Sequence, residues 1–446
     1  MPRRKEAILL FTLVLTASSA LAANLDLTPL HRSFQFNFSF PGARSLGMGG
    51  AFIGRADDAS AAEANPAGLT VLVSPEVTVE VRNLDYAEDA PYGLQGSPSA
   101  ATLHVSHRQT APSFFSLVYP TPAVSWALFY SRPLDFQQTA SIDIGTGVIG
   151  GSGSQAFFFG NGPGDFALHY RAETLGVSAA WKIGGLSLGA GVRRERLKAD
   201  ASFAQFDVAF SGGVPVKGSA VPTSFGLIHG SESKYAYTAG LKWQNAPENF
   251  SVGAVYKSGA DYSFKECNPS SASTGCETAP QTFPSTFEVP PQLGAGISIR
   301  PMKGVTLNAD VVRVQYDRLL RHFEPAGFCA IASCASAESF GFKIDNATEV
   351  HIGGEWAFPG AAIPLALRAG WWRDPDHSVR YSGPTNDTDA DVRAAQNYAA
   401  FTFTGQSSQN HVAFGLGYIR PTFEINAAYD HSRQAKTGSI SALKRF

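Results

Sequence analysis

From about Glu76 to the end of the chain, apolar and polar residues alternate with a period of two. In Val305-Thr306-Leu307-Asn308-Ala309-Asp310-Val311 the apolar residues share one face, and Thr306, Asn308 and Asp310 share the other. Tyr235, Tyr237, Ala239, Leu241 and Trp243 alternate with Lys234, Thr238 and Lys242; Phe423, Ile425, Ala427 and Tyr429 alternate with Glu424, Asn426 and Asp430. Successive side chains of a strand point to opposite faces, so each segment has one greasy side and one polar side. The pattern predicts about fourteen strands: Glu76–Tyr86, Thr102–Tyr119, Ala123–Arg132, Tyr170–Ile183, Leu186–Phe203, Lys234–Gln244, Phe250–Phe264, Gln292–Arg300, Val305–Tyr316, Glu349–Phe358, Leu365–Arg373, His411–Arg420, Phe423–Arg433 and Thr437–Phe446. Most have the roughly nine to eleven residues or more that a tilted membrane strand needs.

A soluble sandwich would alternate in the same way, so the connections decide. Pro120-Thr121-Pro122, Gly184-Gly185, Asn245–Asn249, Pro301–Gly304, Pro359–Pro364 and Pro421-Thr422 are short and carry turn residues. Between them lie long polar or Gly-rich stretches that read as loops: Leu134–His169, Ala204–Ser233, Lys265–Pro291, Asp317–Thr348 and Asp374–Asn410. Short turns on one side and long loops on the other are the pattern of an outer-membrane antiparallel β-barrel, with the long loops outside the cell. Tyr119, Trp126, Tyr130, Trp181, Trp243, Tyr256, Trp356, Trp371, Tyr418 and Tyr429 lie within or toward strand ends, where aromatic rings favour the headgroup zone. Phe446 ends the last strand, with Ile440 and Ala442 on its face, as in barrels handed to the assembly machinery of the outer membrane.

The N-terminus reads as an export leader. Arg3, Arg4 and Lys5 precede an apolar run from Ile8 to Leu15, and the small-x-small triplet Ala20-Leu21-Ala22 predicts cleavage before Ala23. The expected organisation is a leader at 1–22, a separate segment at 23–75 and a barrel at 76–446. Without the leader, 32 basic side chains face 36 acidic ones, a balance that argues against nucleic acid as partner. No later apolar run reaches the about 20 residues of a spanning helix, so a closed sheet is the only way across a bilayer. Charged residues are only 16% of the chain, which also fits a barrel better than a helical globule. Export into an oxidising compartment predicts two short-range disulfides, Cys267 with Cys276 and Cys329 with Cys334. No His lies at ligand spacing beside either pair, and neither a metal nor a cofactor is expected.

Residues Ala23–Val73 do not alternate. They hold a dense stretch, Gly42-Ala43-Arg44-Ser45-Leu46-Gly47-Met48-Gly49-Gly50-Ala51-Phe52, followed by Asp57-Asp58-Ala59 and Asn65-Pro66-Ala67-Gly68-Leu69. The glycines permit close backbone packing, Asp57-Asp58 is placed to cap a short helix over Ala59–Ala64, and Asn65-Pro66 ends it in a turn. From Gly42 to Leu69, and most clearly at Asn65-Pro66-Ala67, this stretch resembles the N-terminal hatch of the FadL-type outer-membrane transport family, channels for long-chain fatty acids and aromatic hydrocarbons. The hatch residues so marked are Gly42, Arg44, Gly47, Gly49, Gly50, Asp57, Asp58, Asn65, Pro66 and Ala67. An extra stretch, Ala23–Pro41, precedes the motif.

The resemblance implies a barrel corked by its N-terminal segment and passive uptake of a hydrophobic molecule. Loops would capture the ligand, an internal pocket would hold it above the hatch, and a gap at a kinked third strand would release it. That strand is Ala123–Arg132, bracketed by Pro122 and Pro133, with Pro290-Pro291 as a rival site of broken pairing. The expected partners are a hydrophobic small molecule, outer-membrane lipid and lipopolysaccharide, and the barrel assembly machinery; the expected state is a monomer.

The outer stretches are greasier than solvated loops, with Phe157, Phe158 and Phe159 in one and Phe203, Phe206, Phe210 and Phe225 in or beside the next. Clustered aromatics of this kind mark an apolar ligand site or pack on each other as a cap. Gly185-Leu186-Ser187-Leu188-Gly189 matches a serine-hydrolase pattern but runs from a turn into a strand instead of from a strand into a helix, and no enzyme is expected. Gly145-Thr146-Gly147-Val148-Ile149-Gly150 has no helix after it to hold a phosphate. His104 and His107 are too close for two ligands on one strand face. Asp374, Asp376, Asp387, Asp389 and Asp391 could bind calcium or form a solvated acidic loop. A polar porin and a surface adhesin or structural barrel are the competing readings of the whole chain.

Overall fold

A computed structural model of the chain describes residues 41–92, 101–142, 146–150, 157–161, 163–211, 214–269, 276, 277, 279, 282–322, 336–358, 360–405 and 407–446. Fourteen antiparallel strands close into a ring: β1 (Glu76–Tyr92), β2 (Ala101–Pro120), β3 (Ser125–Ile142), β4 (Gly164–Ile183), β5 (Leu186–Ser211), β6 (Val214–Gln244), β7 (Phe250–Lys257), β8 (Gln292–Met302), β9 (Val305–Val314), β10 (Ala347–Ala357), β11 (Leu365–Asp374), β12 (Gln409–Ile419), β13 (Phe423–His431) and β14 (Ala435–Arg445). Each strand pairs with the next, and β14 returns to β1 from Glu76↔Arg445 to Tyr86↔Ala435. Thirteen of the fourteen predicted segments lie within these strands to within two residues at their ends; the other, Phe250–Phe264, breaks at Ser258-Gly259 and leaves the ring there. The tight turn at Gly184-Gly185 uses a positive φ of 61° at Gly184, a backbone conformation that side-chain-bearing residues resist.

The polarity of the wall is the reverse of a soluble protein's. Trp126 is 51% exposed and Ile425 is 49% exposed on the outer face, whereas Asp310, on the inner face, is 1% exposed. Leu117, Val177, Leu241, Leu307, Ile352 and Phe414 share the outer face; Ser116, Arg193, Lys242, His351 and Arg368 are buried on the inner one. Such a wall is stable only where lipid takes the place of water around it, which makes this a transmembrane barrel. No helix among the described residues is long and apolar enough to cross a membrane.

Several stretches read from the sequence as loops are instead strand. β3 continues to Ile142 and β4 begins at Gly164, while β5 runs to Ser211 and β6 begins at Val214, so four strands carry the wall far beyond the predicted ends. The pattern was hard to see because its sense inverts. Along β4 the outward side chains pass from Trp181, Val177 and Leu175 to Glu173, Arg171, His169 and Asp165; the inward ones pass from Ser178 and Thr174 to Ala172, Tyr170, Leu168 and Phe166. β5 changes at the same level, outward from Val192 to Arg194 and inward from Glu195 to Leu197. That level marks where the wall leaves the hydrocarbon layer.

The stretch from Lys265 to Pro291 is also partly sheet, since Ala260–Cys267 pairs with Thr282–Val289. Cys267 and Cys276 form the expected disulfide, with Cα atoms 5.3 Å apart. Cys329 and Cys334 lie outside the described residues. The last long stretch carries a helix, Ala390–Thr402, capped by Asp389, whose carboxylate accepts from the amides of Asp391 (2.8 Å) and Val392 (3.2 Å).

Candidate functional site

Residues 42–72 pack against the inner face of the ring. Gly42 opens the helix Ala43–Gly47, and its amide donates to Glu80 of β1 at 3.0 Å. The helix lies against β12 and β13 so closely that a Cβ on Gly47 would stand 2.9 Å from the Gly415 Cα, and one on Gly49 would stand 2.9 Å from the Trp371 amide nitrogen of β11. Gly49 also has a φ of +64°, so glycine is required there twice over. The Gly49 carbonyl bonds His351 of β10 at 2.7 Å, the ring against which Gly50 sits.

Arg44 is the electrostatic centre of this segment. Its guanidinium donates two 2.9 Å bonds to Glu355 of β10, a fork that matches a carboxylate. The remaining terminal nitrogen reaches Asp57 at 2.8 Å and Asp58 at 3.3 Å. Asp58 accepts from the amide (2.9 Å) and hydroxyl (2.5 Å) of Ser60 and so turns the chain into a helix. The helix is shorter than expected, Ala61–Ala64, and Asp57 does not cap it: Asp57 binds Arg44 and Arg55 instead. Asn65 fixes the next turn, its side-chain oxygen accepting from the Ala67 amide at 3.2 Å. Its amide group donates to Ile53 of the segment and to Leu241 of β6, each at 3.2 Å. Pro66 then begins the 3-10 turn Pro66–Val71, which presses Ala67 against Gly189 of β5.

The wall supplies the complementary half. Asp310 of β9 accepts from the amides of Phe52 (2.5 Å) and Ile53 (2.7 Å). Ser116 of β2, Ser178 of β4 and Ser251 of β7 donate to the carbonyls of Ala59, Ala62 and Gly54 at 2.9, 2.7 and 2.7 Å. Lys242 of β6 donates to the Arg55 carbonyl. Ser187, the serine of the hydrolase-like pattern, bonds Thr70 at 2.6 Å and so holds this segment too. Gly296 of β8 approaches Gly54, while β3 and β14 touch the two short helices, so the segment reaches all fourteen strands. Sequence reasoning marked the segment's half of these contacts but not Glu80, Asp310, His351 and Glu355; their signal was ionisable residues on the inward face of strands at one level.

Beyond this segment comes a thin charged layer. Lys257 of β7 meets Glu63 at 3.2 Å, Arg193 meets Glu195 on β5 at 3.1 Å, and the Tyr262 hydroxyl reaches Glu195 at 3.3 Å. A small cavity of about 40 Å³ sits there, bounded also by Pro133, Leu134, Ala172, Ser258 and Pro290. Above it the inner wall turns apolar, with Leu134, Phe136, Leu168, Tyr170, Leu197 and Phe287 buried in one cluster and Tyr170 stacked on Phe287 at 5.6 Å. Of these inward-facing residues, Leu134, Phe136, Leu168 and Phe287 fall in stretches whose sequence reads as loop, while Tyr170 and Leu197 fall in predicted strands.

Of the candidate capture residues, Phe203 packs on Phe166 with ring centroids 4.7 Å apart. Phe206 is buried, not exposed, with the Lys217 ammonium 3.5 Å from its ring centre. Phe225 is half-buried on β6. Phe157, Phe158 and Phe159 form one arm of a hairpin, Thr146–Gly150 with Phe157–Asn161; their side chains and that of Phe210 lie outside the described part.

The third strand is continuous, and its pairing is what is interrupted. β3 spans Ser125–Ile142, so Pro133 lies within it. β3 pairs with β2 only from Pro120↔Ser125 to Phe114↔Ser131; beyond that point β2 stays with β1 and β3 with β4, with an irregularity between Ser131 and Leu134. Side chains cross the parted strands: the Gln109 amide donates to Asp135, which also holds Arg132 at 3.2 Å and His169 at 2.8 Å.

No protein-family model matches the chain, and no curated protein matches it. Solved structures do. A Pseudomonas aeruginosa FadL homologue superposes with a TM-score of 0.60 at 15% identity, covering 92% of this chain and 99% of that one. The fold is the FadL-type barrel. The Ralstonia pickettii toluene transporter TbuX superposes at 0.56 with 16% identity, covering 92% of this chain and 100% of that one. The P. putida toluene transporter TodX follows at 0.52 and 13%, covering 92% and 99%. In this FadL-type barrel two carboxylates of the acidic stretch after β11 serve its own backbone: Asp389 caps a helix, and Asp387 accepts from the Asp389 amide at 3.0 Å. No cluster of three or more His, Cys, Asp or Glu side chains able to hold a metal occurs among the described residues.

Proposed function

We propose that the chain is an outer-membrane channel for passive uptake of hydrophobic molecules such as long-chain fatty acids or aromatic hydrocarbons. In this reading the leader directs export and is cut before Ala23, the assembly machinery inserts a monomeric barrel among lipid and lipopolysaccharide, and residues 42–72 cork it. The observation that carries the reading is the inner wall, which is apolar above a base closed by hydrogen bonds to every side. Water gains nothing in such a space, whereas an alkyl chain or aromatic ring loses its hydration cost, about 25 cal/mol per Å² buried. The FadL homologue and the toluene transporters share this fold, and the parted β2 and β3 offer an apolar ligand a way sideways into the membrane. The closed base disfavours a polar porin.

The test is binding by the detergent-purified protein. A long-chain fatty acid or an alkylbenzene binds the native chain, and Leu168→Asp or Leu197→Asp weakens that binding at least about tenfold while the barrel still migrates as folded. Equal affinity in native and substituted proteins excludes this chamber as the binding site.

A further inference from the structure

The wall carries a second interruption, between β6 and β7. They pair from Gln244↔Ser251 to Thr238↔Lys257, and the next pairing of β6 with the same run of chain is at His229↔Lys265. Between these points eight residues of β6, Gly230 to Tyr237, face seven, Ser258 to Phe264. The one-residue mismatch means that the two runs cannot share a register throughout. The chain opposite is broken at the same level: Ser258-Gly259 and Pro290-Pro291 lie outside the strands they interrupt. Neither proline can donate to a ladder, and a Cβ on Gly259 would stand 2.3 Å from the Val289 carbonyl oxygen, so the bend admits only glycine.

Local contacts hold the two runs side by side here in place of a ladder. At the edge nearer the N-terminal segment the Ser258 amide donates to the Tyr237 carbonyl and the Tyr237 amide to the Ser258 hydroxyl, both at 2.9 Å. The Arg193 guanidinium holds the Ser258 carbonyl at 3.0 Å from the lumen. Higher up, the Ser263 amide donates to the Glu232 carboxylate at 2.5 Å, a long side chain standing where a backbone carbonyl would stand in a sheet. Lys234 meets Glu232 at 2.7 Å. Outside, Tyr235 is 77% exposed and Tyr237 packs on Tyr256 at 5.8 Å, at the level where the outer face of β5 turns from Val192 to Arg194. Inside lie Ser258 and Pro290, both lining the small cavity above the corked base.

We infer that this break is a second side portal, at the outer headgroup level, through which a slender amphipathic molecule passes between the outer leaflet and the chamber. The inference rests on the reading of the chamber as an apolar ligand site. The chemistry of the frame fits such a molecule: tyrosines and a serine-, glutamate- and lysine-lined rim suit a polar head, and the apolar inner wall suits its tail.

The portal is tested by bridging it. Glu232→Cys with Ser263→Cys is joined by a short, reducible bis-maleimide, and a matching bridge joins Gln109→Cys with Asp135→Cys across β2 and β3. Binding of a fluorescent long-chain fatty acid to purified protein and its uptake into proteoliposomes are both measured. The 232–263 bridge is expected to slow uptake at least fivefold with equilibrium binding retained, and reduction restores the rate, with native protein carried through the same reduction. A single Ser263→Cys bearing a bulky maleimide slows uptake likewise and guards against a folding defect in the double variant. Unchanged uptake in both modified proteins, with the 109–135 bridge alone blocking, overturns the portal. Absence of fatty-acid binding by native protein overturns the channel reading itself, and the portal with it.

Discussion

At the scale of single residues, the chain binds its own N-terminal segment through buried charge. Arg44 stands between Glu355 and the Asp57–Asp58 pair, and Arg368 also donates to Glu355 at 2.7 Å. Removing one partner of a buried ion pair costs about 3–5 kcal/mol, because the others remain desolvated and unpaired. Arg44→Ala should therefore release residues 42–72 for cleavage by protease on the order of a hundredfold faster or more, with the wall intact; Arg44→Lys, which keeps the charge and loses the fork, should fall between. Equal cleavage rates would deny Arg44 this role. The sequence marked Arg44, Asp57, Asp58 and Asn65 because they belong to a recognisable motif. It did not mark Glu355 or Asp310, since an acid alternating with apolar residues looks the same whether it faces water or a buried guanidinium.

At the scale of elements, the lower half of every strand was legible and the upper half of several was not, for one physical reason. Period-two reasoning looks for apolar residues on one constant face, and β4 and β5 exchange their faces where they leave the lipid. Phe166 and Leu168 look inward there and read as a greasy loop. The outer cap has its own chemistry. His377, beyond the end of β11, stacks on Tyr316 at 3.9 Å and lies 3.4 Å from Asp374. Burial opposes its charged form, but the Asp374 carboxylate, the Pro375 carbonyl and the nearby Glu349 outweigh that and raise its pKa above the ordinary histidine range. A group whose folded pKa is raised contributes stability that is full below its unfolded pKa, about 6.5, and is lost as pH rises through the folded value. Hydrogen exchange over residues 376–405 should thus quicken, beyond the intrinsic base-catalysed rise, as pH climbs above neutrality. His377→Gln should abolish that extra dependence; an unaltered profile in the variant would assign it elsewhere.

At the scale of the whole molecule, the inner face of the ring is two surfaces stacked on one another, and the N-terminal segment accounts for the lower one. Ser116, Ser178, Lys242, Ser251, Asp310 and Glu355 are polar groups that would be hydrated in an empty barrel; here they spend their hydrogen bonds on residues 42–72. Removing Ala23–Val73 deletes none of the fourteen ring strands and breaks no described wall pairing, so the ring can still close, while each of those groups must find water instead. The lower lumen then fills, and the thin charged layer of Arg193, Glu195 and Lys257, which loses Glu63, no longer has a dry floor beneath it. Native protein in planar bilayers should show little steady conductance, and the deletion protein, checked for folded migration on gels, should show sustained open-channel current. If both conduct alike, the segment is no cork, and the apolar inner wall above it would have to be kept dry by its own side chains alone.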